Sequence, residues 1–278
     1  MKTRSFRLLL LCVLFATCAM PQAAQPQRKK LLVVGASNGY QHDAITHCMG
    51  TIWKLGIDTK LWDTWIRTDS RFITKKSLPD KAGRQDPNFL ELNRNTKNLN
   101  FFDAVVFYTT GALELDDEQK AALLSFIKDD GKGFIAIHSA IEAVRNWPEY
   151  NEMVGGTFDL HPWNKEVGVL VLDHSFPATK DLPDRFTITD EIYQVKNYSA
   201  DKVHELMKVD ISTVDLKAPL VHRTDNDFAL AWEHSYGKGR VFYCGFGHLN
   251  EVFDRPEIQK MLVEAIKWAT GITPSRSH

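Results

Sequence analysis

Residues 31–35 read LLVVG, a short apolar run that ends in glycine. A continuous apolar run of this length predicts a strand that is buried on both faces, as in parallel sheets. Apolar residues then recur at helical spacing from Asp43 to Leu55, and Gly56 closes the predicted helix. Residues 57–62 predict a second strand. The order strand, helix, strand predicts the start of a parallel α/β sheet.

The rest of the chain continues this alternation. Two apolar runs, residues 102–108 and 133–137, predict further buried strands. A helix is predicted to begin at the cap residue Asp116 and to stop before Gly131, and residues 256–270 predict a closing amphipathic helix. The other strand candidates are residues 167–172, 186–188, 203–209, 228–233 and 240–244. With no internal repeat and no second linker, we expect one three-layer α/β domain.

The first residues are typical of a targeting signal. Positively charged side chains within residues 2–7 precede an apolar core at residues 8–16 that is too short to span a bilayer. We expect residues 1–24 to be a secretory signal peptide and residues 25–278 to be a single exported domain, located in the periplasm. Lipidation at Cys18 is the alternative. No later segment is long and apolar enough to span a membrane.

Composition excludes some partners. The formal net charge is -1, so nothing points to nucleic acid or to an anionic membrane. Cys48 and Cys244 are the cysteines that remain after the signal. Export permits a disulfide between them, but the apolar sequence around each favours two buried free thiols.

Polar side chains follow several of the predicted strands. His42, His138 and His248 each come after a buried strand, and a polar group at residues 190–193 follows the strand candidate near Phe186. Ligands of open parallel sheets bind at the carboxyl ends of the strands, so we expect these side chains to converge. Imidazoles and a carboxylate from different loops suit a divalent transition metal. The same set could supply an acid and a base without a metal.

Ser139 offers a competing interpretation. A residue on a sharp turn between strand and helix is exposed for nucleophilic attack. The hydrolase pattern requires glycine two residues before and two residues after the serine, whereas this chain has Ile137 and Ile141. A serine hydrolase is therefore disfavoured, and a cysteine amidase is disfavoured because no cysteine lies at that turn.

Several blocks of sequence occur in a fixed order between residues 131 and 248. They are residues 131–140 (GKGFIAIHSA), 147–150 (WPEY), 154–156 (VGG), 161–163 (HPW), 177–179 (PAT), 190–193 (DEIY) and 236–248 (YGKGRVFYCGFGH). Together they resemble the ThuA-like (trehalose utilisation) family. That family is similar in fold to class I glutamine amidotransferases, which implies a mostly parallel, flavodoxin-like sheet flanked by helices. The amidotransferase cysteine would fall at or beside His138, so amidase chemistry is not implied.

The resemblance implies a role in carbohydrate processing. The substrate class it implies is 3-keto-glycosides made by a partner sugar 3-oxidoreductase, and it also implies a bound divalent metal ion. Carried over onto this chain, the metal ligands are His42, His138, Glu191 and His248. A homo-oligomer is compatible with the sequence.

Catalytic and substrate-binding roles complete the prediction. Tyr193 or His161 would carry the proton, while His138 would either bind the metal or move a proton. The candidate sugar-binding residues are Tyr40, Trp147, Trp163 and Ser139; core packing is the alternative for the tryptophans. The usual histidine before the PAT block is replaced by Phe176. Residues 67–100 form a less typical polar excursion that we expect to influence substrate choice.

The predicted reaction follows from the chemistry of a ketone at sugar carbon 3. The ketone acidifies the hydrogen on carbon 2, so a base can remove it while the leaving group departs from carbon 1. Addition of water then completes a net hydrolysis. The alternative function is a sugar-binding protein without turnover on a degenerate amidotransferase-like fold. The sequence feature against this alternative is the retained group of histidines and a glutamate.

Overall fold

The computed structural model describes residues 27–76, 97–144, 146–198 and 200–274. The predicted signal peptide at residues 1–24 lies outside these ranges, as do residues 77–96 of the polar excursion. Within the ranges described, no helix is long and apolar enough to cross a membrane.

Nine strands of the described chain form one sheet. They are β1 (Lys29–Val34), β2 (Trp62–Arg67), β3 (Ala104–Phe107), β4 (Gly133–Ile137), β5 (Thr157–Val171), β6 (Arg185–Lys196), β7 (His204–Val209), β8 (Ala229–Tyr236) and β9 (Gly239–Cys244). Their order across the sheet is β2-β1-β3-β4-β9-β8-β7-β5-β6.

One half of the sheet is parallel. Strands β2, β1, β3, β4 and β9 pair in parallel with their neighbours. The carboxyl ends of these strands therefore lie along one edge, where ligands of such sheets bind. The predicted buried strands at 31–35, 102–108, 133–137 and 240–244 all belong to this half, which explains their continuous apolar sequence.

The prediction of a mostly parallel sheet is wrong, because the other half is antiparallel. Strands β9, β8, β7, β5 and β6 pair antiparallel with their neighbours, and β5 and β6 are the longest of the sheet. No crossover helix separates β5 from β6 or β8 from β9 in sequence, and strands joined without a crossover pair antiparallel. The candidates 167–172 and 186–188 are only parts of these long strands.

Five helices of the described residues cover the sheet. They are α1 (Ala44–Thr59), α2 (Asp117–Lys128), α3 (Pro148–Val154), α4 (Asn250–Asp254) and α5 (Pro256–Ala269). The cap predicted at Asp116 is confirmed, since its side chain accepts from the Gln119 backbone N–H at 2.8 Å. The closing helix predicted at residues 256–270 is confirmed as α5.

The first helix is longer than the sequence predicted. It continues through Gly56 to Thr59 and ends at Lys60, which has a left-handed φ of 59°. Gly56 is needed inside the helix because a Cβ there would lie 2.6 Å from Nε1 of Trp62. The strand predicted at residues 57–62 is therefore wrong, and β2 begins only at Trp62.

The core lies in two layers, one on each face of the sheet. Alternate residues of β1 point to opposite faces: Leu31 and Val33 pack with α1 and α5, whereas Leu32 and Val34 pack with α2 and α3. The predicted three-layer arrangement is confirmed. Cys48 and Cys244 are buried free thiols, as the sequence favoured, and burial raises the pKa of each.

Candidate functional site

The three histidines predicted at strand ends do meet at the carboxyl edge of the parallel half. His42 follows β1, and its loop is fixed where the Thr110 hydroxyl donates to the Tyr40 carbonyl at 2.7 Å. His138 directly follows β4, and His248 follows β9. Because β1, β4 and β9 end at the same edge, short loops are enough to bring these imidazoles together.

His138 is held in a strained and completely buried position. Its φ is 45°, a left-handed value that costs a non-glycine residue about 1–3 kcal/mol. Its Nδ1 lies 2.7 Å from the Gly245 carbonyl oxygen. Because a carbonyl oxygen can only accept, Nδ1 carries the hydrogen, and Nε2 of the neutral ring keeps a lone pair.

Glu191 completes the group, but it comes from within a strand. The sequence placed residues 190–193 after a strand, and the structure corrects this: they lie inside β6. Asp190 of β6 accepts hydrogen bonds from Gly247 and Leu249, which follow β9. The antiparallel half therefore bends back over the carboxyl edge of β9, and this brings Glu191 to the histidines.

One carboxylate oxygen is the common neighbour of all three imidazoles. Glu191 Oε2 lies 3.2 Å from Nδ1 of His248, 3.5 Å from Nε2 of His138 and 4.0 Å from Nε2 of His42. One ligand atom from each of the four residues lies within 4.8 Å of the others. We call His42, His138, Glu191 and His248 the His–Glu cluster; it is the set that the sequence predicted.

The two residues predicted to carry a proton lie beside this cluster. His161 Nδ1 lies 3.6 Å from Oε1 of Glu191, and the His161 side chain is 45% exposed. The pairing of β5 with β6 shifts register between Leu160 and Trp163, around His161. Such a bulge redirects a side chain. The Tyr193 ring stacks on that of His138, with 4.2 Å between the centroids.

Electrostatic interactions within the cluster are strong. Burial would raise the pKa of Glu191, but the imidazoles of His138, His248 and His42 outweigh this and hold it well below its ordinary value. The same carboxylate raises the pKa of His248. Burial lowers the pKa of His42, which favours its neutral form. Burial and then Glu191 raise the pKa of Tyr193, so its hydroxyl keeps the proton at neutral pH.

The residues present fit a divalent metal ion. His42 Nδ1, His138 Nε2 and His248 Nδ1 are buried ring nitrogens that make no hydrogen bond of good geometry, although the latter two lie near Oε2 of Glu191. Buried polar atoms are ordinarily paired, so three such ring nitrogens within one group of residues need an explanation. Three imidazoles and a carboxylate are the ligand types of zinc, manganese and iron sites. The predicted metal-binding group is thus present in the fold.

A cleft of about 250 Å³ opens beside the cluster. His42, His248 and Tyr40 line it, and Tyr40 is 67% exposed. The Tyr40 and His248 rings stack, with 6.1 Å between the centroids. A larger cavity of about 690 Å³ lies between α3 and the end of β8, and no residue of the cluster lines it. The chemistry favours the smaller cleft as the candidate site.

The other predicted substrate-binding residues are buried. Trp147 stacks on Tyr150, and Trp163 packs edge-on against Phe228. Their exposed fractions are 6% and 3%, so neither offers a free ring face. Ser139 is fully buried, and its hydroxyl has no hydrogen-bond partner among the described residues. No base is placed to activate it, which agrees with the argument against a serine hydrolase.

Two residues support the site although the sequence assigned neither of them a role; Asp190 was noted only as part of the polar group at residues 190–193. Asp190 is fully buried and accepts from the backbone N–H of Gly247 at 2.6 Å. Tyr108 is also fully buried, and its hydroxyl donates to the Gly247 carbonyl at 2.5 Å. The only signal for Asp190 is its position next to Glu191. Tyr108 ends the apolar run at residues 102–108, and nothing in the local sequence indicates that its hydroxyl supports the site.

These features define a three-layer α/β protein with a His–Glu cluster at the carboxyl edge of its parallel strands. The chain belongs to the ThuA family, described as trehalose utilisation, which it matches over residues 30–269. No curated protein matches it.

Two ThuA-like proteins are among the solved structures that share the fold. A ThuA-like protein from Bacteroides uniformis is 19% identical with a TM-score of 0.67, over 90% of this chain and 95% of its own. A ThuA-like protein from Parabacteroides merdae is 14% identical with a TM-score of 0.62, over 91% of this chain and 93% of its own. At these identities the likeness concerns the fold alone.

Proposed function

We propose that this protein is a metal-dependent enzyme that cleaves 3-keto-glycosides by elimination followed by hydration. The observation that carries the proposal is the His–Glu cluster, whose four ligand atoms lie within 4.8 Å of one another beside an open cleft. The family description, trehalose utilisation, supports a carbohydrate as the substrate.

His42, His138, Glu191 and His248 would hold the ion. When bound, a divalent cation supplies Lewis acidity that polarises the ketone oxygen and acidifies the neighbouring C–H bond. Glu191 is suited to this role because its lowered pKa keeps it ionised. His138 is suited because the Gly245 carbonyl fixes the tautomer that leaves Nε2 free.

Two residues beside the His–Glu cluster, one exposed and one buried, are assigned the proton transfers. His161 is the exposed imidazole next to Glu191 and can take the hydrogen from sugar carbon 2. The electron pair of that C–H bond forms the C1–C2 double bond as the C1–O bond breaks. The departing oxygen needs a proton, and the Tyr193 hydroxyl, stacked beside His138, is the candidate donor. Water then adds its hydroxyl to carbon 1 and a proton to carbon 2.

Tyr40 is the candidate sugar platform. Its ring is the exposed aromatic surface at the cleft, and it lies 4.8 Å from the His42 ring, centroid to centroid. Sugar rings present apolar C–H faces that pack on aromatic rings. Trp147 and Trp163 are assigned to the core, because each is almost fully buried.

Turnover is favoured over binding alone by the buried imidazoles. Sugar recognition is satisfied by exposed polar and aromatic groups, whereas unpaired buried ring nitrogens are costly to maintain. A metal ion would satisfy them. Export to the periplasm, directed by residues 1–24, is part of the proposal and is testable by sequencing the amino terminus of the mature protein.

The test combines metal analysis with turnover of a synthetic 3-keto-glucoside. The wild type, His138→Ala, His248→Ala and the control His222→Ala would be compared. His222 lies outside the cluster, and its side chain is 56% exposed. We expect the wild type and the control to retain metal and activity, and both cluster variants to lose them. Unchanged metal content and unchanged turnover in the cluster variants would contradict the proposal.

A further inference from the structure

One turn of the chain, residues 245–249, contains one residue of the His–Glu cluster and makes hydrogen bonds that support two others. It contains His248, and its Gly245 carbonyl accepts from Nδ1 of His138 at 2.7 Å. Its backbone N–H groups at Gly247 and Leu249 donate to Asp190, at 2.6 and 3.2 Å. The turn thus carries one cluster residue, contacts a second and is bound to the residue that precedes Glu191.

Gly247 is the centre of this arrangement. Its φ is 140°, and a Cβ there would lie 2.9 Å from the Phe253 ring and 3.4 Å from Cβ of His138. Asp190 binds its N–H and Tyr108 binds its carbonyl. Both backbone polar groups of Gly247, the residue before His248, are therefore held by fully buried side chains.

The burial of the Asp190 carboxylate is energetically unfavourable by itself. A fully buried carboxylate loses its hydration, and burial raises its pKa. It gains two hydrogen bonds from backbone N–H groups, which are strong when the acceptor is charged. Its two oxygens are used separately: Oδ2 accepts from Gly247 and Oδ1 from Leu249. This divided use fixes both ends of the peptide segment that carries His248.

We propose that Asp190 is a positioning residue that holds the 245–249 turn so that His248 and the Gly245 carbonyl are pre-organised for a divalent cation. Tyr108 assists from the other side of Gly247. The inference rests on the proposed function for the identity of the ligand, but the positioning itself concerns contacts within the protein. Partners of metal ligands typically change metal affinity about 10- to 100-fold when they are replaced.

Asp190→Asn is the variant that tests this. It keeps the shape of the side chain, but its single oxygen can accept from only one of the two N–H groups. The matched control is Asp210→Asn, because Asp210 is also buried and accepts from the Ser212 backbone N–H at 3.0 Å, away from the cluster. Tyr108→Phe removes only the hydroxyl that binds Gly247.

Two measurements are made on each full-length mature protein. Titration with Co²⁺ gives a dissociation constant and a visible absorption spectrum that reports ligand geometry. Nitrogen-15 NMR of the metal-free protein reports the tautomer of each histidine. We expect Asp190→Asn to weaken Co²⁺ binding about 10- to 100-fold, to alter the spectrum and to shift the ring nitrogen signals of His138 and His248. Tyr108→Phe should have a smaller effect in the same direction.

Each outcome has a distinct meaning. If Asp190→Asn loses thermal stability like Asp210→Asn but keeps the wild-type Co²⁺ affinity, spectrum and histidine signals, Asp190 is merely structural and the inference is overturned. If the wild type does not bind Co²⁺, the metal centre of the proposed function fails. The histidine signals of metal-free Asp190→Asn then decide the positioning claim alone, and it is overturned if they match the wild type.

Discussion

Glu191 presents one carboxylate oxygen to His161 and the other to the three imidazoles of the His–Glu cluster. Nδ1 of His161 lies 3.6 Å from Oε1, while the imidazoles of the His–Glu cluster face Oε2. His161 is also the more exposed, at 45% of its side chain. This separation divides the site into a buried part suited to holding an ion and a rim suited to moving protons.

His161→Ala should therefore separate catalysis from metal binding. We expect kcat to fall by about 10²- to 10⁴-fold, the usual contribution of a positioned general acid or base, while metal content stays at the wild-type level. Steady-state kinetics with a 3-keto-glucoside and metal analysis of the same preparation provide the check. Loss of the metal together with activity would show that His161 is a ligand and would contradict the division.

Tyr193→Phe should also lower kcat without changing the metal content, because it removes the hydroxyl that donates a proton. The substitution keeps the ring that stacks on His138 at 4.2 Å and removes only the hydroxyl. We expect an unchanged metal content and a decrease in kcat of about 100-fold or more, because general-acid assistance is lost. The control is Tyr198→Phe, which removes a buried tyrosine hydroxyl next to Trp232. Equal activity of the Tyr193→Phe variant and its control would refute the assignment.

Glu205 should make stability depend on pH. Burial, and then the neighbouring Asp227, raise its pKa from 4.5 to about 7. Because the folded pKa is the higher one, the folded state binds the proton more tightly, so the contribution of Glu205 to stability is fully present below about pH 4.5 and is lost as the pH rises through 7. Glu205→Gln should be more stable than the wild type at pH 8, and this advantage should disappear by pH 4. Urea denaturation at the two pH values measures the difference in free energy of unfolding between the variant and the wild type. The same difference at both pH values would contradict the prediction.

Two glycines of α1 form a matched pair for a test of packing. A Cβ at Gly56 would lie 2.6 Å from Nε1 and 2.9 Å from the carbonyl oxygen of Trp62, whereas a Cβ at Gly50 meets nothing within 4 Å. Gly56→Ala should lower the free energy of unfolding by about 1–3 kcal/mol through overpacking. Gly50→Ala should raise it by about 0.5–1 kcal/mol, because alanine is the better helix former. Chemical denaturation of both variants would show whether they change the free energy of unfolding in opposite directions.

Sequence reasoning located the histidines because of the parallel half of the sheet. His42, His138 and His248 follow strands whose apolar runs are easily recognised, and the ends of parallel strands share one edge. Glu191 was noted only as part of the polar group at residues 190–193, and its role as a ligand and the choice of His161 came from the family resemblance. They lie inside long antiparallel strands, where local sequence does not reveal how far a sheet bends or where a bulge occurs.

The same limit explains the remaining errors. The apolar sequence around Gly56 contains no sign that Trp62 packs closely enough to require a glycine within the helix. Aromatic residues near a site are equally ambiguous, since Tyr40 is exposed at the cleft while Trp147 and Trp163 are core residues. Burial of an individual ring depends on tertiary packing, which a single sequence does not show.

The central claim is that the His–Glu cluster binds a divalent metal ion. Crystals grown with Zn²⁺, Mn²⁺ or Co²⁺ and measured on both sides of the absorption edge of that metal would test it most directly. We expect one strong anomalous peak within bonding distance of His42, His138, His248 and Glu191. Density without an anomalous peak at the cluster for all three metals, or a peak only elsewhere on the protein, would contradict it.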